Sequence, residues 1–465
     1  MRSTFRLSVV VMSVAAFAAF GLPASAEHQD RPRTSNLHPM GHIEEPRNLL
    51  AGDLNINTDI AFWGKHAFQG TWRGGFTVRD ISAPGNPRTV GEVTDCDGPQ
   101  GDVVVWDNIL VRTWDQPAGS AVPGPFSMFG AGNECGGQTY PNGWEGIHIF
   151  DISDVENPVL VGDVEFSLRP GAENVGCGSH TASGVPDVAN NRLVVYSSPS
   201  NALCSGFDVI EIPLDDPASA SYVRFAPAAP HIHCHDIGVI LGDVMRAACA
   251  GGTGFAVWEL DPADLTDPQL LYTKDVNEDI DDGGAVSIGH SAVFSSDGET
   301  IIFGHEPGGG VAPFCLETTP DSLKSAFFYE AETGEFQGMW TIPRTQGPTE
   351  NCTIHNYNMV PTRDGTNIMV GGHYLAGTWV VDFTDPADPR TVAWSDPLPA
   401  PVPDTPAGQA FGTSLCGAWS SYWYSGFIYE TNICEGLNVF RFSGSETAGA
   451  MRLAHLNPQT QESSL

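Results

Sequence analysis

The sequence predicts an all-β chain, a seven-bladed β-propeller of four-stranded antiparallel blades closed by an N-terminal strand. Three observations predict it: a recurring unit, paired strand-like runs ahead of each copy, and no long helical pattern between them. The unit is plainest at Phe76-Thr-Val-Arg-Asp-Ile-Ser-Ala-Pro-Gly-Asn-Pro87, followed by Arg-Thr-Val-Gly-Glu-Val93. It returns at Ile147-His-Ile-Phe-Asp-Ile-Ser-Asp-Val-Glu-Asn-Pro158, followed by Val-Leu-Val-Gly-Asp-Val164. Looser copies begin at Phe207, Phe255, Phe327, Trp379 and Leu437. Each copy alternates apolar and polar residues, meets a turn rich in Asp, Asn, Ser and Pro, then alternates again, as a half-buried strand, turn and strand would.

Ahead of each copy lie two more strand-like runs joined by a turn. Ser291 to Phe294 and Thr300 to Gly304 flank Ser-Ser-Asp-Gly, and Met359-Val360 and Asn367 to Gly371 flank Thr-Arg-Asp-Gly. Four strands per unit bury a core between neighbouring blades, so the length needs no second domain. The last copy ends near Phe442 with no strand after it, whereas Asn48 to Ile56 precedes the first copy without a unit of its own. That N-terminal stretch is expected to supply the missing outer strand and so remove an exposed edge. The expected domains are a signal peptide at 1–26, a flexible N-terminal segment at 27–45, the propeller at 46–443 and a disordered tail at 444–465. Both flanks are polar and lack apolar periodicity.

Arg2 and Arg6, an apolar run from Leu7 to Leu22 and the small residues Ala24-Ser25-Ala26 form the pattern of a secretory signal cleaved after Ala26. The run is too short for a membrane span, and no later stretch is long and apolar enough, so a secreted, extracellular protein is expected. Losing the two arginines takes the formal charge from −35 to −37, with Lys65, Lys274 and Lys324 the only lysines. Such a surface argues against nucleic acid or an anionic membrane as partner. Ten cysteines, an even number in an exported chain, are expected to be oxidised. Pairing within blades and across the long loops proposes Cys177 with Cys204, Cys234 with Cys249, Cys416 with Cys434, Cys96 with Cys135 and Cys315 with Cys352. The rival reading makes Cys234, between His233 and His235, a thiolate ligand to copper.

An apolar strand ending in Asp-Ile-Ser-x-Pro-x-x-Pro, then an apolar residue and Gly, resembles the LVIVD-repeat family. Asp80-Ile-Ser and Asp151-Ile-Ser match it best and Asp382-Phe-Thr-Asp-Pro matches well. The resemblance spans about residues 58 to 443 and implies a propeller and export; it implies little about chemistry.

Function is expected where histidines recur at the mouths of short apolar strands: His180, His235, His290 and His355. If each begins the innermost strand of its blade, the four ring one end of the channel. His305 and His373 end second strands, and antiparallel pairing is expected to bring them to the same face. Imidazoles without an obligatory carboxylate suit copper, zinc or iron, with Glu306 and Asp236 as ligands or orienting partners. The plainer alternative is channel-lining histidines that hold water or an anion, or divergence from an ancestral repeat. Two Gly- and Pro-rich insertions, Gln116 to Trp144 and His305 to Lys324, are either functional loops on this face or tolerated surface additions. Asp275 to Gly283 is at best a weak calcium loop, without the turn glycine and terminal glutamate at the required places. No phosphate-binding glycine loop and no Gly-x-Ser-x-Gly elbow occurs, which disfavours nucleotide and serine-hydrolase chemistry.

The expected function is therefore an exported metal-binding propeller, a metal-dependent oxidoreductase or hydrolase acting on a small molecule. Its arrangement is similar to that of selenium-binding-protein-type methanethiol oxidases, which are also histidine-bearing propellers; the likeness is one of fold and residue type. The alternative is a non-enzymatic propeller holding an extracellular protein or glycan through Trp419, Tyr422, Trp423 and Tyr424, residues that also suit core filling in the last blade.

Overall fold

The computed structural model describes residues 28, 30–166, 176–199, 201 and 203–462, so the expected signal peptide lies outside the described residues. The chain is an all-β propeller of four-stranded antiparallel units. In the first unit Asn57–Trp63, His66–Thr71, Phe76–Asp80 and Arg88–Val93 pair in succession, innermost to outermost. Innermost strands such as Asp236–Leu241 and Gly289–Phe294 are buried along their whole length, because the channel lies at one edge and neighbouring units cover both faces. The outermost strand Arg88–Val93 alternates exposed and buried residues, the pattern that made the repeat legible. Each innermost strand packs beside the next, and Ala418–Tyr424 packs against Asn57–Trp63.

The strand-turn-strand motif does more than fold back on itself. A register shift recurs between third and fourth strands at Val78/Arg79, Ile149/Phe150, Val209/Ile210, Val257/Trp258, Phe328/Tyr329 and Val380/Val381, adding twist at the same depth of each unit. The glycine that follows the turn is where the next unit's turn docks. A Cβ at Gly91 would lie 2.0 Å from the Val155 carbonyl oxygen, and one at Gly338 would lie 2.1 Å from that of Pro386, so only glycine admits the approach.

Four expectations need correction. Seven separate blades were expected, but five four-stranded units stand in separate sheets, two of them with a fifth strand added, and eight further strands run together into one sheet through parallel pairing of Asn356 with Ser420. Asn48 to Ile56 is not a strand: the Asn48 side chain accepts the amides of Leu50 and Ala51 and starts a 3-10 turn at Leu49–Ala51. Nor is 27–45 flexible throughout, since Leu37–Glu44 pairs antiparallel with Gly436–Phe442 and buried Arg31 lies 2.9 Å from Glu430.

The tail is not disordered across 444–462. His455–Leu456 pairs with Asn57–Trp63, and Thr460–Glu462 pairs in parallel with Asp236–Leu241. Asn457 exchanges two 2.8 Å bonds with the Val105 backbone, and Thr460 Oγ1 donates to Gly184 O at 2.9 Å. Sequence periodicity misses such segments because two or three residues per partner suffice when the partner strands are already in place.

Five disulfides join Cys96 to Cys135, Cys177 to Cys204, Cys234 to Cys249, Cys315 to Cys352 and Cys416 to Cys434, the pairings expected. Cys234 is thereby oxidised and not a thiolate ligand. Among the described residues no helix is long and apolar enough to cross a membrane.

Candidate functional site

Because every innermost strand begins at the same end, the residue just before or at its start faces a shared chamber of about 200 Å³. Thr58, Asp59, Asp102, His180, Thr181, His235, Asp236, His290, His355, Asn356 and Trp419 all line it. Four of the six expected histidines are there in sequence order. Ring centroids lie 4.1 Å apart from His180 to His235, 4.1 Å from His235 to His290 and 4.5 Å from His290 to His355.

Each imidazole is held at Nδ1. His180 meets Asp115 Oδ1 at 2.7 Å, His235 meets Asp236 Oδ1 at 3.2 Å, His290 meets Ser291 Oγ at 2.6 Å, and His355 meets the Trp419 carbonyl. Ser291 Oγ donates onward to Asp236 Oδ2 at 3.1 Å, so one carboxylate orients two rings. Among the described residues, none accepts from or donates to Nε2 of any of the four within hydrogen-bond distance. Glu306 reaches across to this side: its oxygens stand 3.9 Å from His290 Nε2 and 3.6 Å from His355 Nε2. Tyr374 donates to Glu306 Oε1 at 2.6 Å. Tyr374 itself is held at φ 54°, costly for a residue with a side chain, by reciprocal backbone bonds with Ala418.

Electrostatics divide the four rings. Burial pushes the imidazoles of His235, His290 and His355 down, the last to about 3, so at neutral pH they are uncharged and can donate a lone pair. Burial acts the same way on His180, but the Asp115 carboxylate overrides it and raises the ring to about 9. Burial raises Glu306 to about 7, opposed by the Tyr374 hydroxyl. Two groups have ligand atoms all within 4.8 Å of one another: His180 with His235 and Asp236, and His235 with His290 and Glu306.

His305 and His373 do not line the chamber. His305 Nε2 accepts the Ser287 amide at 3.3 Å and His373 Nδ1 accepts the His355 amide at 3.1 Å, so both brace the backbone that carries other site residues. Side chains alternate along a strand, and a one-residue step reverses the face. Pairing brought the correct strand ends to the chamber, yet the neighbours Glu306 and Tyr374 are the residues that turn into it. Sequence reading missed Tyr374 and Asp115; their signal was the equivalent place just beyond a second strand, which Glu306 shares.

Cys96, Cys135 and His148 also come close together, but both sulfurs are spent in the disulfide. The acidic loop offers little to calcium. Asp279 pairs with Lys274 at 2.9 Å, Asp282 takes the Ser322 amide at 2.8 Å, and Asp275 takes the Asn277 amide at 3.0 Å.

Residues 57–95 match the LVIVD repeat. No curated protein matches the chain. Among solved structures it is similar to the Dos1 propeller, with 10% identity over 87% of this chain and 83% of that one and a TM-score of 0.48. It is also similar to the β-propeller domain of Myceliophteria thermophila Cps50 (Swd1), with 9% identity over 89% of this chain and 100% of that one and a TM-score of 0.48. The matched stretch covers the first four-stranded unit, so the chain is a β-propeller that carries a match to the LVIVD repeat there.

Proposed function

We propose that the chain is an exported, seven-bladed propeller that holds a transition-metal ion in the histidine chamber and uses it as a metal-dependent oxidoreductase or hydrolase. Reckoned as two units, the eight-stranded sheet brings the count to seven, with Leu37–Glu44 as the closing strand. Gly41 supports the closure: a Cβ there would lie 2.2 Å from Pro84 O, so the first unit's turn docks on this strand as other turns dock on Gly91 and Gly338. Five disulfides support an oxidising compartment.

The observation that carries the metal reading is three successive uncharged imidazoles, each fixed at Nδ1, beside a carboxylate. This donor set suits copper, zinc or iron better than calcium. His235, His290 and Glu306, whose ligand atoms lie within 4.8 Å of one another, would hold the ion, with His355, 3.6 Å from Glu306, and His180, once its proton is released, as further imidazoles. A bound ion would supply Lewis acidity or a one-electron couple. Asp236 and Ser291 fix the tautomers of His235 and His290, the Trp419 carbonyl fixes that of His355, and Tyr374 holds Glu306 in place.

Elemental analysis of the protein secreted by its native host, beside a variant with His235, His290 and His355 changed to alanine, tests this. Stoichiometric copper, zinc or iron in the first and none in the still-folded second is expected. No metal in either, after reconstitution, overturns the reading. A purely adhesive propeller finds less support, because Tyr422, Trp423 and Tyr424 are buried inside the last unit and the fourth aromatic, half-buried Trp419, lines the chamber.

A further inference from the structure

The chamber has a second wall that the metal reading leaves unused. Besides the imidazoles, the apolar side chains of Ile56, Trp72, Phe129, Val311, Trp419 and Ile433 line it. They come from distant stretches. Phe129 belongs to the first long insertion and Val311 to the second, so both insertions place an apolar side chain on the chamber. Trp72 is fixed by its indole N–H on Met128 O at 2.9 Å and meets Phe129 edge-on at 5.5 Å. Trp419 bridges the two walls, edge-on to Trp72 at 6.2 Å and to His355 at 5.3 Å.

We infer that the chamber takes a small uncharged molecule, a single aromatic ring bearing one hydroxyl-type group, with the ring against this wall and the polar group toward the imidazoles. The inference rests on the reading of the chamber as the binding site. Size favours it: a cavity of about 150 Å³ in another protein accommodates benzene, and this one holds about 200 Å³. Polarity favours it too, because a sugar would leave hydroxyls without partners against the apolar wall. Charge disfavours the anionic counterparts, since the ionised Asp236 lines the same chamber while the one cationic ring, His180, is already paired with Asp115 at 2.7 Å.

The test uses the purified full chain stripped of metal, so that ring binding and metal binding are read separately. Crystals soaked in 4-bromophenol are expected to show the bromine, by anomalous scattering, inside the chamber beside Trp72. In titrations followed by tryptophan fluorescence, benzoate is expected to bind about tenfold or more weakly than phenol. Val311→Asp, on an insertion loop where folding is least at risk, is expected to weaken phenol by a similar factor of about ten. Bromine found only elsewhere, benzoate binding as tightly as phenol, or Val311→Asp without effect overturns the inference, and a chain that still loads metal in those cases leaves the metal reading standing.

Discussion

On one side of the chamber Asp59 and Asp102 stand at the mouths of the strands Asn57–Trp63 and Val103–Trp106; on the other, His235, His290 and His355 stand at the mouths of later innermost strands. All five line the chamber, and both residue types are metal ligands in general. They differ in which atoms are already spent. Asp59 Oδ1 accepts the Ile60 amide at 2.8 Å and Ser420 Oγ at 2.6 Å, and its Oδ2 accepts Tyr422 OH at 3.1 Å and Gln459 Nε2 at 3.3 Å. Asp102 takes the Val103 and Ala182 amides at 2.9 and 3.0 Å. Burial raises both carboxyls, and repulsion adds to it, from Asp236 on Asp59 and from Asp59 and Asp236 on Asp102. Each imidazole, by contrast, spends one nitrogen on orientation and keeps the other. The carboxylate side is joinery between units, and the imidazole side is a donor set.

The largest expected effect lies behind the carboxylate side, where buried Arg31 pairs with Glu430 at 2.9 Å and also with Glu435. Arg31→Met strands the Glu430 charge and should cost about 3–5 kcal/mol in urea unfolding, with metal content unchanged. The pair also sets a pH window. Burial alone would raise the Glu430 carboxyl, but Arg31, Asn432 and Thr378 lower it from 4.5 to about 2. A depressed carboxyl contributes stability that is fully present above pH 4.5 and lost as pH falls toward 2. The wild type should therefore lose stability across that window more steeply than Glu430→Gln; equal slopes would remove the pair from the account.

Deleting residues 455–465 should cost about 3 kcal/mol, through the Asn457 and Thr460 hydrogen bonds and two short strand pairings, each bond worth about 1 kcal/mol. A melting temperature unchanged by the deletion would reduce the tail to a passive covering. Asp59→Ala should cost about 2 kcal/mol by orphaning the Ser420 and Tyr422 hydroxyls while metal uptake survives. His235→Ala, the smallest in stability at about 1 kcal/mol or less, should abolish metal uptake. If instead Asp59→Ala empties the chamber of metal and His235→Ala leaves it loaded, the division of labour between the two sides is reversed.

The repeat was legible because its outer strands alternate and its turns carry Asp, Pro and Gly, which are properties of a few consecutive residues. So were the strand-mouth histidines and the disulfide pairs, since both ride on the repeat's register. The tertiary structure decided what depends on distant partners: that Leu37–Glu44, not the stretch after Asn48, pairs with Gly436–Phe442, and that the tail threads onto innermost strands. It decided the facing of the second-strand ends as well. His305 and Glu306, or His373 and Tyr374, are one residue apart, and only the pairing with the neighbouring strand determines which of each two enters the chamber. Composition names the atoms able to bind a metal, but which of them remain unspent depends on hydrogen bonds from residues hundreds of positions away, as Asp59 shows with Tyr422 and Gln459.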